Sequence, residues 1–138
     1  LSPSSAASDV YKRQDCMIKF SPVANDKLPE PFCNDNSLNG YLGFDMSSGG
    51  AECGFSVFRL NGYTMEIIDV VSESDDETVE GFIRSSLNYG ANRGAYIAYY
   101  KAASGVNVAK MLGFKENKEK ILEGEIPELL AGSCCKKK

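Results

Sequence analysis

Apolar residues change their period along this chain. From residue 40 to 71 they come in short runs broken by Gly, Ser and Asn; from 79 to 91 they recur every three or four residues. Gly40 to Met46 (GYLGFDM) reads as a strand, Ser47-Ser48-Gly49-Gly50 as a turn, and Ala51 to Leu60 (AECGFSVFRL) as a second strand with Phe55 and Val57 on one face. Asn61-Gly62 is a preferred two-residue hairpin loop, because both residues tolerate positive φ. Tyr63 to Val71 is then a third strand, and Ile67, Ile68, Val70 and Val71 at its end predict burial on both faces. Three antiparallel strands in succession make a meander.

Ser74-Asp75-Asp76-Glu77 fits a capping box, with serine at the N-cap and glutamate three residues on. Val79, Phe82, Ile83, Leu87 and Ala91 form one apolar helical stripe; Arg84, Ser85, Asn88 and Asn92 fall on the other side. The helix should stop between Gly90 and Gly94. Ala95 to Lys101 (AYIAYYK) reads as a fourth strand. Ser104 is placed to cap a short helix through Leu112, stopped by Gly113, with Phe114 positioned for a Schellman-type contact. Lys120 to Ile126 predicts a last strand, and Pro127 opens a short helix ending at Gly132.

Upstream, Met17 to Phe20 predicts an edge strand, whose unpaired side makes a homodimer an expected partner arrangement. Pro22, Pro29 and Pro31 exclude a long regular helix, so Ser21 to Gly40 reads as an extended loop. Leu1 to Gln14 (LSPSSAASDVYKRQ) has no apolar period and no signal-peptide core. The string resembles a translated sequencing-adapter artefact of the kind that recurs at the ends of metagenomic reading frames. The expected organisation is therefore an artefactual or disordered segment 1–16, a single domain 17–132, and a Cys-Cys-Lys tail 133–138.

With 138 residues, the chain has room for one domain and hardly a second. No apolar run nears the roughly 20 residues that cross a bilayer, so no membrane association is expected. The net charge of −4 opposes nucleic-acid binding, which rests on lysine and arginine displacing counterions. With 0 histidines, Ser-His-Asp and Cys-His catalysis and Cys/His zinc sites are excluded. Five cysteines without C-x-x-C spacing argue against a secreted disulfide framework and for a reducing cytoplasm. Adjacent Cys134 and Cys135, alone or joined by Cys33 or Cys53, suggest metal or redox handling only as the last-ranked reading, so no metal site is assigned.

The order strand, strand, strand, helix, strand, helix, strand, together with Val108-Ala109-Lys110-Met111-Leu112-Gly113-Phe114, resembles the C-terminal half of a GNAT-type N-acetyltransferase. The resemblance runs from about Gly40 to Ile126. It implies an α+β, GNAT-like fold with a reduced N-terminal part. It also implies acetyl-CoA or another acyl-CoA as cofactor, lying in a splay between the third and fourth strands. Backbone groups near Ile67, Ile68, Val70 and Val71 would orient the thioester. Glu66 or Asp69 would be the base toward an amine acceptor, and Tyr99 or Tyr100, on the strand before the family's acid position, would substitute as the acid.

Two of the family's features are replaced. The Arg/Gln-x-x-Gly-x-Gly/Ala loop, whose bare N–H groups hold pyrophosphate at a helix start, falls near Ser74 to Val79. Here it reads Ser-Asp-Asp-Glu-Thr-Val, and its three carboxylates oppose an anion; Gly81 is the nearest glycine. The general-acid tyrosine position falls on Ala109. The residues thus leave open two functions: an acyl-CoA-dependent N-acyltransferase with degenerate motifs, or a non-catalytic protein- or peptide-binding module on the same scaffold. The latter would use exposed aromatics among Tyr89, Tyr96, Tyr99 and Tyr100.

Overall fold

The alternating stretch folds as the meander, and its turns set the register. The computed structural model describes residues 10–12, 17–73 and 75–135, with side chains described for 18–73 and 75–131. Its strands are β1 (Val10–Lys12), β2 (Met17–Val23), β3 (Leu38–Asp45), β4 (Ala51–Asn61), β5 (Thr64–Ser72), β6 (Ile97–Tyr100), β7 (Lys115–Glu116) and β8 (Leu122–Glu125). Its helices are α1 (Asp76–Asn92), α2 (Val106–Leu112) and α3 (Ile126–Cys135). They form an α+β fold on one sheet of order β1-β2-β3-β4-β5-β6-β8-β7. Only β5 and β6 run parallel, joined by the crossover through α1.

Several boundaries differ from the sequence expectation. The β4–β5 loop is Gly62-Tyr63, because Asn61 pairs with Thr64 and Gly62 alone turns at φ 65. That one-residue slide sets Arg59 opposite Glu66. A bulge follows: Val57 pairs with Asp69 and Phe58 with Ile67, so Ile68 is an extra residue. The alternation flips there. Ile67 and Val70 enter the helix-covered core, Ile68 packs on the opposite face, and Val71 is 38% exposed rather than buried.

Met17–Phe20 is no edge: β2 extends through Pro22 to Val23, pairs with β3, and is covered by β1 over Met17–Lys19. Among the described residues, the outermost strand on this side of the sheet is therefore β1. The long loop between β2 and β3 holds two 3-10 turns and lays Leu28 and Phe32 over Leu38 and Val57.

Asp75, not Ser74, caps α1, accepting from Thr78 N–H at 3.1 Å and Thr78 Oγ1 at 3.0 Å. Asp satisfies an orphan N–H as well as Ser does, so the cap moved by one; Ser74 lies outside the described residues. The stripe Phe82, Ile83 and Leu87 is fully buried against Phe58, Met65 and Ile67. Ser86 reaches the sheet from the same helix face, 2.9 Å from buried Ser56. At the end of α2, Phe114 N–H bonds Ala109 O at 3.1 Å around Gly113, the expected Schellman arrangement. β7 was not foreseen, β8 is shorter than Lys120–Ile126, and α3 runs past Gly132.

Candidate functional site

Parallel pairing of β5 with β6 lasts only from Thr64↔Ile97 to Ile67↔Tyr100. Its last link is Lys101 N–H to Ile67 O at 2.8 Å. β5 then continues to Ser72 along β4, while the chain after Tyr100 turns away into α2. The two strands therefore diverge at the bulge, and the backbone of Ile68–Val71 borders the gap.

Two faces meet at this gap. On the open face, register places Arg59, Glu66, Tyr99 and Glu123 in one row across β4, β5, β6 and β8. Glu66 sits between two cations, 3.1 Å from Arg59 Nη1 and 3.2 Å from Lys101 Nζ. Arg59 Nη2 also lies 3.5 Å from Asp35. Glu66, Tyr99, Lys101, Asn117 and Glu123 line a cleft of about 530 Å³. Asn117 is locked in place, donating to Glu123 Oε1 at 2.8 Å and accepting from the Glu119 and Ile121 amides.

On the helix face lies Tyr100, next in sequence to Tyr99 but pointing the other way, as strand alternation requires. Its hydroxyl donates to Ser104 O at 2.7 Å. Burial, and then the charge of Asp69, hold this phenol far above its ordinary value, so it stays protonated through the neutral range. Asp69 Oδ1 accepts the Val70 N–H at 3.0 Å on the gap side of β5. Ser104 does not cap α2, whose N-cap is Gly105 at φ 75. Its Oγ instead donates to Val70 O at 2.6 Å, across the gap.

Register sets Glu66 beside Tyr99 on the open face, where Asp69, opposite Val57, also lies; Tyr100 lies on the helix face, and only the charge of Asp69 reaches it. Ile67, Ile68, Val70 and Val71 border the gap by backbone only. Gly81 is buried within α1, six residues into the helix, and is no part of a phosphate loop. The helix start that would face an anion carries Asp75, Asp76 and Glu77. Arg59, Lys101, Ser104, Asn117 and Glu123 were missed as site residues. For Arg59 the sequence signal misled, since a loop at Asn61-Gly62 sets Thr64 opposite Arg59, and only the observed register brings Glu66 there.

Of the aromatics expected at the surface, Tyr100 is buried and Tyr89 is half-buried, under the Arg93 guanidinium at 3.6 Å. Tyr96, also among those expected, is 45% exposed and packs edge to face at 6.5 Å on Tyr63, which is 64% exposed and was not among them. Among the described residues, no three Cys, Asp or Glu are grouped to hold a metal ion. Cys134 and Cys135 have no described side chains. A second cavity of about 560 Å³ behind β8 is lined by Ile97, Leu112, Gly124 and Leu129 among others, with no β5 residue. Among the described residues, no helix is long and apolar enough to cross a membrane.

No protein-family model matches the sequence, and no curated protein sequence matches it significantly. Its fold does match solved structures. A GNAT-family acetyltransferase from Desulfovibrio desulfuricans superposes with TM-score 0.60 at 6% identity, covering 79% of this chain and 99% of that one. The ribosomal-protein-S18-alanine N-acetyltransferase from Escherichia coli gives 0.59 at 9% identity, covering 80% and 94%. The spermidine N-acetyltransferase from Vibrio cholerae, solved with CoA and spermine, gives 0.56 at 14% identity, covering 70% of each chain. At such identities the likeness establishes a GNAT-like fold.

Proposed function

We propose that this chain is an acyl-CoA-dependent N-acyltransferase that holds its cofactor mainly by the acyl and pantetheine end. The observation that carries the reading is the β5–β6 divergence, which leaves strand backbone facing a gap. Solved proteins of the same fold contain CoA, as the Vibrio cholerae enzyme does. The amine acceptor would approach over the cleft of Glu66, Tyr99 and Lys101. Its nitrogen attacks the thioester carbonyl, the C–N bond forms, the C–S bond breaks and the thiolate leaves. Asp69 is the better-placed base for the ammonium proton, because the charge of Glu66 is already shared by Arg59 and Lys101. Tyr100 carries a proton for the thiolate once its bond to Ser104 is released.

Asp75, Asp76 and Glu77 already neutralise the positive end of α1, so the phosphates must lie away from it. Calorimetric titration of acetyl-CoA into the full chain should give a dissociation constant on the order of 100 μM, about −5.5 kcal/mol. Absence of heat at millimolar cofactor overturns the proposal.

A second reading is a non-catalytic module that binds a protein or peptide. It is favoured by the Ser104–Val70 bond across the gap and by the acidic α1 start. It requires a silent acetyl-CoA titration and a partner whose capture survives Glu66→Gln and Asp69→Asn.

A further inference from the structure

Val70 carries two backbone groups on the free side of β5, and the chain satisfies both itself. Its N–H donates to Asp69 Oδ1 at 3.0 Å, and its carbonyl accepts from Ser104 Oγ at 2.6 Å. A free strand edge otherwise invites a pairing partner, which would supply one acceptor and one donor at this spacing. Asp69 and Ser104 supply that pair.

The loop that delivers Ser104 is anchored at both ends. Lys101 N–H holds Ile67 O at 2.8 Å, and Tyr100 Oη holds Ser104 O at 2.7 Å. Gly105 turns at φ 75, where a Cβ would meet Tyr100 Oη at 2.6 Å and Val79 Cγ1 at 3.0 Å. Only glycine fits this turn, so the loop lies close against both β6 and α1. Ala102 beneath it is buried.

We infer that Asp69 and Ser104 cap the free edge of β5, and that Ser104 is a strap which the amide-bearing arm of an acyl-CoA must displace to enter the gap. An amide offers one C=O and one N–H, the same two partners that the caps now provide to Val70. The identity of the ligand rests on the acyl-CoA reading; the strap itself does not.

Two measurements on the full chain separate these. The first is hydrogen exchange of the Lys101 amide by NMR, in the wild type and in Ser104→Ala. Loss of one hydroxyl–carbonyl bond of ordinary net strength should speed it roughly 2- to 12-fold, with the Leu87 amide in α1 unchanged. Ser104→Thr, which keeps the hydroxyl, should restore slow exchange. Equal Lys101 exchange in wild type and Ser104→Ala overturns the strap. The second is acetyl-CoA affinity, which should tighten in Ser104→Ala by a similar factor. Wild-type binding with no gain in the variant overturns the strap as a gate and leaves the acyl-CoA reading standing. No binding by either protein overturns the acyl-CoA reading, and exchange at Lys101 then decides the strap alone.

Discussion

Asp45 shows how a single exposed side chain shapes a turn. Its carboxylate accepts from the Ser47 hydroxyl at 2.6 Å, from the Ser47 amide at 3.0 Å and from Ser48 Oγ at 3.3 Å. The Ser47 hydroxyl is the main cause that lowers its pKa below 3.8. A depressed carboxylate stabilises the fold above the unfolded-state value and loses that contribution as pH falls through the folded one. Titration by carbon-detected NMR should place the Asp45 midpoint below 3.8, and Ser47→Ala should raise it toward 3.8. An unchanged midpoint in Ser47→Ala would remove the hydroxyl as the cause. Tyr100 and Tyr99 make the companion case: adjacent, chemically alike, and sent to opposite faces by the strand.

At the scale of elements, α1 is docked on the sheet by packing and by one buried polar link. Ser86 Oγ donates to Phe82 O at 2.8 Å and lies 2.9 Å from Ser56 Oγ, so Ser56 is left to donate to Ser86. Ser86→Ala strands the Ser56 hydroxyl in a site without solvent, and should cost about 1–3 kcal/mol in denaturant unfolding. The double change Ser56→Ala with Ser86→Ala should cost less than the sum of the single changes, because no orphan remains. Strict additivity would show that the two hydroxyls are not coupled. The same scale holds the Arg59–Glu66–Lys101 cluster, which exists only because β4, β5 and β6 lie in this order and register.

For the whole molecule, charge sets how the proposed anionic cofactor would be received. The chain carries −4, and three of its carboxylates, Asp75, Asp76 and Glu77, sit at the helix start nearest the expected phosphate position. Like-charge repulsion is screened by salt, with a Debye length of about 10 Å at 0.1 M. Acetyl-CoA affinity should therefore rise about two- to fivefold from low salt to 0.2 M, the reverse of ordinary anion capture. Asp76→Asn with Glu77→Gln should bind more tightly at low salt and flatten that dependence. Affinity that instead falls with salt would mean that cations elsewhere hold the phosphates.

Much of the fold was legible locally. The meander, the α1 stripe and the Gly113-Phe114 stop are each written within about a dozen residues, because period and turn chemistry act at short range. What was misread depended on a partner far away in sequence. The bulge at Ile68 arises from pairing with β4 and turns Val71 outward. As a cap the Ser104 hydroxyl would accept from the amides of the helix start; instead it donates to Val70 O, 34 residues away. The candidate site was legible as residue types and not as contacts: Glu66 and Tyr99 fall in one row only through register, and their neighbours Arg59, Lys101 and Glu123 come from three other elements or loops.

The sequence by itself determined the three-strand meander, the apolar stripe and acidic start of α1, and the α+β class, since each follows from backbone preference and side-chain charge. The tertiary structure alone decided which carboxylate is ion-paired, which tyrosine is buried, and that Ser104 closes the gap between β5 and β6. Those outcomes depend on distances between segments that only register and packing bring within hydrogen-bond reach.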